Sequence, residues 1–441
     1  MQNTKSSFGS ASIGDEYLPA SGNGGYNVDH YDLDIDYRVA TNRIAATAVI
    51  TARATMPLDR FSLDFAGLSV ERITVGGVRP RKITHTARKL VITLDDTVGA
   101  GEKFEIVVRY RGAPRPVRSR WGEIGWEELT DGVLVASQPN GAASWFPCND
   151  HPSDKATFRI TIACEAPYTL VSNGTLLSRT SRSGRSRWVY DSVEPMATYL
   201  ATIQIGRYTS RQLDGSLVPQ KIFYPPNLAG AVAVDFGRLG EMVELFCDRF
   251  GPYPFGSYSV VVTDDALEIP LEAQGLAVFG RNHVDGAHGS DRLIAHELAH
   301  QWFGNSLTVS RWRDIWLHEG FACYAEWLWA EASGGPTVQQ CAALHRREIA
   351  LLPKDILIGD PGPDEMFDDR VYKRGALALH AVRLELGTAA FFDALRAFVA
   401  AHRHGNVSTA DFVGFFGEYG EEDAVEDLVD RWVYALPLPR L

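Results

Sequence analysis

The chain has 441 residues, 45% of them hydrophobic and 22% charged, with a formal net charge of −12. This length exceeds what a single core usually organises, so two or three domains of ordinary globular composition are expected. The acidic balance and the lack of any long basic run argue against a nucleic-acid partner. No stretch reaches the ~18 consecutive apolar residues of a membrane span, so no membrane association is expected.

Residues 1–25 are rich in Ser, Gly and Asn and lack the charged-then-apolar pattern of a secretion signal, which predicts a flexible lead-in. From Tyr26 to residue 209 the chain reads as strands. His30-Tyr31-Asp32-Leu33-Asp34-Ile35-Asp36-Tyr37 and Phe104-Glu105-Ile106-Val107-Val108-Arg109-Tyr110 alternate or run apolar between Gly, Pro and Asn turns. Residues 26–209 are therefore expected to form an all-β N-terminal domain, with Ser178 to Ser186 as a polar turn within it. The five cysteines, Cys148, Cys164, Cys247, Cys323 and Cys341, are odd in number and lack CxxC spacing. That usage suits reduced thiols in a cytoplasm and leaves His and carboxylate as the ligands for any metal. Past Arg211 one strand candidate, Tyr258 to Thr263, precedes long segments with apolar residues three and four apart, so residues 210–441 read as a second, mainly α domain. Near its end, Glu421-Glu422-Asp423 with Glu426, Asp427 and Asp430 reads as a helix start with an exposed acidic face.

Within that second domain lies His296-Glu297-Leu298-Ala299-His300. Residues four apart share a helix face, so His296 and His300 can direct two imidazole nitrogens at one ion, and Glu297 falls beside it, where a general base for a metal-activated water belongs. A solvent-facing helix with two histidines is the competing reading. The flanking Leu293, Ile294, Leu298, Trp302 and Phe303 oppose it, because they make the helix largely apolar. Catalytic zinc uses three protein ligands and an open position. Eighteen residues separate His300 from Glu319, which lies on a helix read from Asp314 to Ala332; its neighbour His318 would point elsewhere on that helix. Glu319 is the expected third ligand.

The stretch His296-Glu-Leu-Ala-His-Gln-Trp-Phe-Gly-Asn305, continuing through Trp312-Arg-Asp-Ile-Trp-Leu-His-Glu319-Gly-Phe-Ala, resembles the gluzincin aminopeptidases, the family of aminopeptidase N and leukotriene hydrolase. Trp145-Phe-Pro-Cys-Asn-Asp-His-Pro-Ser-Asp-Lys-Ala-Thr-Phe158 and Gly251-Pro-Tyr-Pro-Phe-Gly-Ser-Tyr258 resemble further signatures of that family, so the likeness runs from about Tyr26 onward. It implies a multidomain protein in which an all-β N-terminal domain of saddle-like sheets precedes a mainly α, thermolysin-like catalytic domain. It also implies one zinc ion on His296, His300 and Glu319, and peptide substrates with a free N-terminus. Relative to longer members, the chain ends where the catalytic domain would close, which suggests a short form without the C-terminal helical domain.

Residue roles follow from the resemblance. Ile269-Pro270-Leu271-Glu272-Ala273 stands in place of the family's G-A-M-E-N loop, which assigns Glu272 to the substrate's α-ammonium. Tyr372, in Val371-Tyr372-Lys373-Arg374-Gly375, matches the tyrosine that stabilises the oxyanion. Gln138 and Asn140 resemble N-domain residues that line the first substrate pocket. Ile-Pro-Leu in place of Gly-Ala-Met, and His318 where Asn is common, are departures that bear on specificity. The expected activity is removal of N-terminal residues, with Glu297 as base. A zinc endopeptidase and a catalytically inactive peptide-binding homologue are the alternatives; the first would have no use for an amine-binding acid at Glu272.

Overall fold

The structure is a computed structural model that describes residues 8–421 and 423–441. The chain divides into two units, Met1–Thr209 and Ser210–Leu441.

The first unit is built from strands. Its largest sheet orders Thr175–Arg182, Arg185–Ala197, Lys155–Glu165, Tyr26–Arg38, Arg43–Ala54, Lys103–Gly112 and Ser69–Val75 side by side. Along Tyr26–Arg38 the alternation seen in the sequence becomes burial: Tyr31, Leu33, Ile35 and Tyr37 are wholly inside, while the interleaved aspartates face outward. The stretch Ser178 to Ser186, expected as a turn, is mostly strand; only Ser183 and Gly184, both at positive φ, make the turn of a hairpin.

The lead-in departs further from expectation. Residues 1–7 lie outside the described residues, but Asp15, Tyr17, Leu18, Ser21 and Asn23 are buried. The Asn23 N–H donates to Asn149 Oδ1 at 2.6 Å, its side-chain amide donates to Asp64 Oδ2 at 2.8 Å, and Asp15 Oδ2 lies 3.2 Å from His151 Nε2. The polar composition that suggests a flexible segment is here satisfied inside the domain, much of it by the Trp145–Phe158 motif.

The second unit combines a mixed sheet with helices. Thr209–Leu213, Gln220–Tyr224, Tyr258–Val262, Leu276–Phe279 and Leu271–Ala273 lie in that order, so the short strand Leu271–Ala273 forms one edge. The helices among the described residues are α1 (Ala229–Asp235), α2 (Leu239–Phe250), α3 (Asp291–Ala299), α4 (Trp316–Ala332), α5 (Val338–Ala350), α6 (Asp369–Leu386), α7 (Thr388–Ala401), α8 (Thr409–Gly417) and α9 (Ala424–Val433). From Trp316 to Trp329 every residue of α4 is buried, which makes it the central helix of the unit. Near the end the acidic residues start a helix with an exposed face: Asp423 is the N-cap of α9, and Glu426, Asp427 and Asp430 lie exposed within it, while Glu422 lies outside the described residues. Among the described residues no helix is long and apolar enough to cross a membrane.

Candidate active site and metal centre

Helix α3 carries His296 and Glu297, and His300 follows as its C-cap with φ −57° and ψ −21°, still in the helical region. The four-residue register is therefore kept, and the His300 N–H bonds to the His296 carbonyl at 3.2 Å. Helix α4 brings Glu319 to them in its first turn. His296 Nε2 lies 3.4 Å and His300 Nε2 3.5 Å from the same oxygen, Glu319 Oε2.

These three residues suit a divalent metal. The Phe303 carbonyl can only accept, so His300 Nδ1, 2.9 Å away, carries a ring proton, and Nε2 is the nitrogen left to face Glu319 and an ion. His296 Nδ1 is fixed in the same way by Glu326 Oε1 at 2.7 Å. Tetrahedral coordination with bonds near 2.05 Å sets neighbouring donors about 3.3 Å apart, close to the two separations observed. Charge agrees with geometry. Burial pulls the His300 pKa down, but Glu319 and then Glu272 overcome it and lift the pKa to about 9. Against its own burial, Glu319 is drawn far below the usual carboxylate range by His300 and His296. A centre with this potential stabilises a cation.

Glu326 escaped the sequence reading. It lies seven residues beyond Glu319 on the same face of α4, and only 4% of its side chain is exposed. Besides His296, it receives Arg292 Nη1 at 3.1 Å on each oxygen, and Arg292 precedes His296 by one turn of α3. An acid inside the otherwise uncharged, largely apolar run Phe321 to Trp329 was the available signal. Because it holds the imidazole in its tautomer and orientation, Glu326→Ala should weaken metal binding about ten- to a hundredfold in a chelator competition. An unchanged dissociation constant would remove Glu326 from the centre.

Beside these three residues, donor oxygens of Glu272 and Glu297 lie within 4.8 Å of each other and of a His300 nitrogen. Burial raises the Glu297 carboxyl to about 7, opposed by His296 and His300 and reinforced by Glu272 and Glu319. Its Oε2 is buried and has no hydrogen-bond partner among the described residues, which leaves it available to a reacting group. Tyr372 lies in the first turn of α6, its ring stacked on His296 with centroids 5.9 Å apart and planes at 19°. Burial, and then the charges of Glu319, Glu272 and Glu297, keep its phenol protonated well above pH 10. Close approach of α4 and α6 depends on two glycines: a Cβ on Gly375 would come within 2.9 Å of Gly320 Cα.

His318 is buried and turned away from the centre, accepting the Val309 N–H on its Nε2 at 2.9 Å. Gln138 and Asn140 belong to the first unit, where the Asn140 amide donates to Ser21 Oγ at 2.7 Å; they are not among the residues the second unit gathers.

Residues 235–432 match the Peptidase family M1 domain, and residues 27–200 match the Peptidase M1 N-terminal domain. An M1 zinc metallopeptidase from Deinococcus radiodurans is 31% identical to this chain, with a TM-score of 0.90 over 98% of this chain and 99% of that one. A mutant M1 zinc metallopeptidase from that organism, bound to a Tyr-Ser-Ala substrate, is 32% identical with a TM-score of 0.89 and the same coverage. Endoplasmic reticulum aminopeptidase 1 from Homo sapiens is 26% identical over 425 residues, covering 87% of this chain and 44% of the relative. Aminopeptidase 2 from Candida albicans is 22% identical over 444 residues, covering 93% of this chain and 47% of the relative. The chain thus spans about half the length of the curated relatives it matches.

Proposed function

Because the chain belongs to peptidase family M1, we propose that it is a zinc aminopeptidase that hydrolyses the first peptide bond of peptides with a free N-terminus. The observation that carries this reading is the position of the Glu272 carboxylate, within 4.8 Å of both the Glu297 base and the His300 ligand. A fixed anion so near the metal ligands favours a substrate whose ammonium lies next to its scissile bond. A solved relative bound to Tyr-Ser-Ala, and others bound to L-arginine and L-tryptophan, support a substrate of this kind.

In this mechanism His296, His300 and Glu319 hold the ion. Zinc bound there supplies Lewis acidity, polarising the carbonyl and lowering the pKa of the attacking water. Glu297 accepts the proton of that water and delivers it to the leaving amine nitrogen, a role suited to a carboxyl whose pKa is raised toward neutrality. The Tyr372 phenol, protonated throughout the physiological range, donates a hydrogen bond to the oxygen on which charge develops. Glu272 receives the α-ammonium. To Gln138 and Asn140 we assign, on the resemblance alone, contacts with the substrate's first residue.

Aminoacyl-nitroanilides with free and with acetylated amines, assayed before and after chelation, test the proposal. Turnover of the free amines alone, lost with chelator and restored by zinc, is the expected result. Cleavage of blocked internal bonds would make the protein an endopeptidase, and inertness of the zinc-loaded protein would make it a binding homologue.

A further inference from the structure

The acid assigned to the substrate amine sits on a strand of three residues at the sheet edge, whereas the metal ligands sit on helices. An aminopeptidase must keep these two parts in a fixed register, because the ammonium and the first carbonyl are the two ends of one residue. Hydrogen bonds between neighbouring strands fix Leu271–Ala273 on one side only, against Leu276–Phe279. Its register with the metal helix depends on something else.

We propose that Gln301 and Asn305 are the positioning residues that set this register. Both side chains belong to buried residues and donate to one acceptor, the Ala273 carbonyl, Gln301 Nε2 at 3.1 Å and Asn305 Nδ2 at 2.9 Å. Gln301 Oε1 also accepts the Gly275 N–H at 2.8 Å. The amide orientation of Gln301 is forced, since an N–H can only donate and a carbonyl can only accept. The two amides therefore grip the residue after Glu272 and the turn of its hairpin. Gln301 directly follows the ligand His300, and its own N–H is fixed to the Leu298 carbonyl. Asn305 is tied in as well, its N–H donating to the His300 carbonyl at 3.0 Å. A short covalent and hydrogen-bonded path thus runs from the metal ligand to the amine-binding acid. A buried carbonyl bonded twice by side chains is a costly arrangement to lose, since each orphaned partner carries a desolvation penalty.

The inference rests on the proposed aminopeptidase function and deepens it: specificity for a free N-terminus requires Glu272 and, through it, these two amides. Gln301→Met and Asn305→Leu preserve side-chain size and remove the hydrogen bonds. For each, the ratio of kcat/KM for a free-amine substrate to that for its N-acetylated counterpart should fall about tenfold or more, since displacements near 1 Å can cost a hundredfold. Zinc content should stay at the wild-type value. In a Glu272→Ala background the same substitutions should leave the ratio unchanged, because the group they position is gone. Packing defects would not respect that dependence. A ratio kept within twofold in both variants, or one that falls equally in the Glu272→Ala background, overturns the inference. A variant that does not fold leaves the other to decide, and if neither folds, Gln301→Asn and Asn305→Ser, which keep an amide or hydroxyl at a shifted reach, are held to the same criterion. A wild-type protein with no preference for free amines overturns both this inference and the aminopeptidase reading, whereas unaltered variants of a selective wild type overturn this inference alone.

Discussion

Glu297→Ala is expected to lower kcat by about a thousandfold or more while the purified protein still binds zinc. The expectation follows from the separation of roles in the centre. His296, His300 and Glu319 present donor atoms around one point, and Glu297 stands beside them with a buried oxygen that has no partner among the described residues. Removing that carboxylate leaves the three proposed ligands unchanged but deletes the group proposed to accept the proton of the attacking water. The pH profile adds a second readout. A base must be ionised to act, so activity should rise with pH through the carboxyl's pKa. Burial sets that pKa to about 7, and a bound dication shifts it downward by stabilising the carboxylate. Residual activity in the Ala variant should lack this acid limb. More than a tenth of wild-type turnover, with the acid limb intact, would place the base elsewhere.

Much of this centre is legible in the sequence because helical geometry converts spacing into direction. His296 and His300 at i and i+4 share a face, and Glu297 is displaced from it, whatever surrounds the helix. The β-rich half is legible for a similar reason: in Tyr26–Arg38 a period of two separates inward Tyr31, Leu33, Ile35 and Tyr37 from the intervening aspartates. Residues that act through long-range hydrogen bonds leave no such trace. Glu326 meets His296 across thirty residues, and Asn305 meets Ala273 across thirty-two. Their significance exists only once α3, α4 and the edge strand are assembled. The lead-in shows the opposite failure. Ser, Gly and Asn there signal exposure on average, yet Asn23 and Asp15 are buried because Asn149, Asp64 and His151 supply partners from far along the chain. Glu272 belongs between these cases. Nothing in its local sequence marks it as more than a surface acid, and only resemblance singled it out before the fold brought it beside Glu297 and His300.

Glu272 also yields the most discriminating expected result. Glu272→Ala should reduce kcat/KM for substrates with a free N-terminus by roughly 30- to 5,000-fold, the equivalent of about 2–5 kcal/mol for removing one partner of a buried, hydrogen-bonded charge pair. Substrates with an acetylated N-terminus carry no ammonium to lose, so they should be affected far less, and the preference for free amines should largely disappear. The carboxyl is buried, and burial raises its pKa against the pull of His300. A carboxylate in such a place is costly to ionise unless a cation meets it, which is what an incoming α-ammonium does. The metal ligands are untouched by the substitution, so zinc content should match the wild type and distinguish loss of amine recognition from loss of the centre. If acetylated substrates are refused by the variant as strongly as by the parent, then the free N-terminus is read by some other group and the carboxylate beside Glu297 serves the metal centre alone.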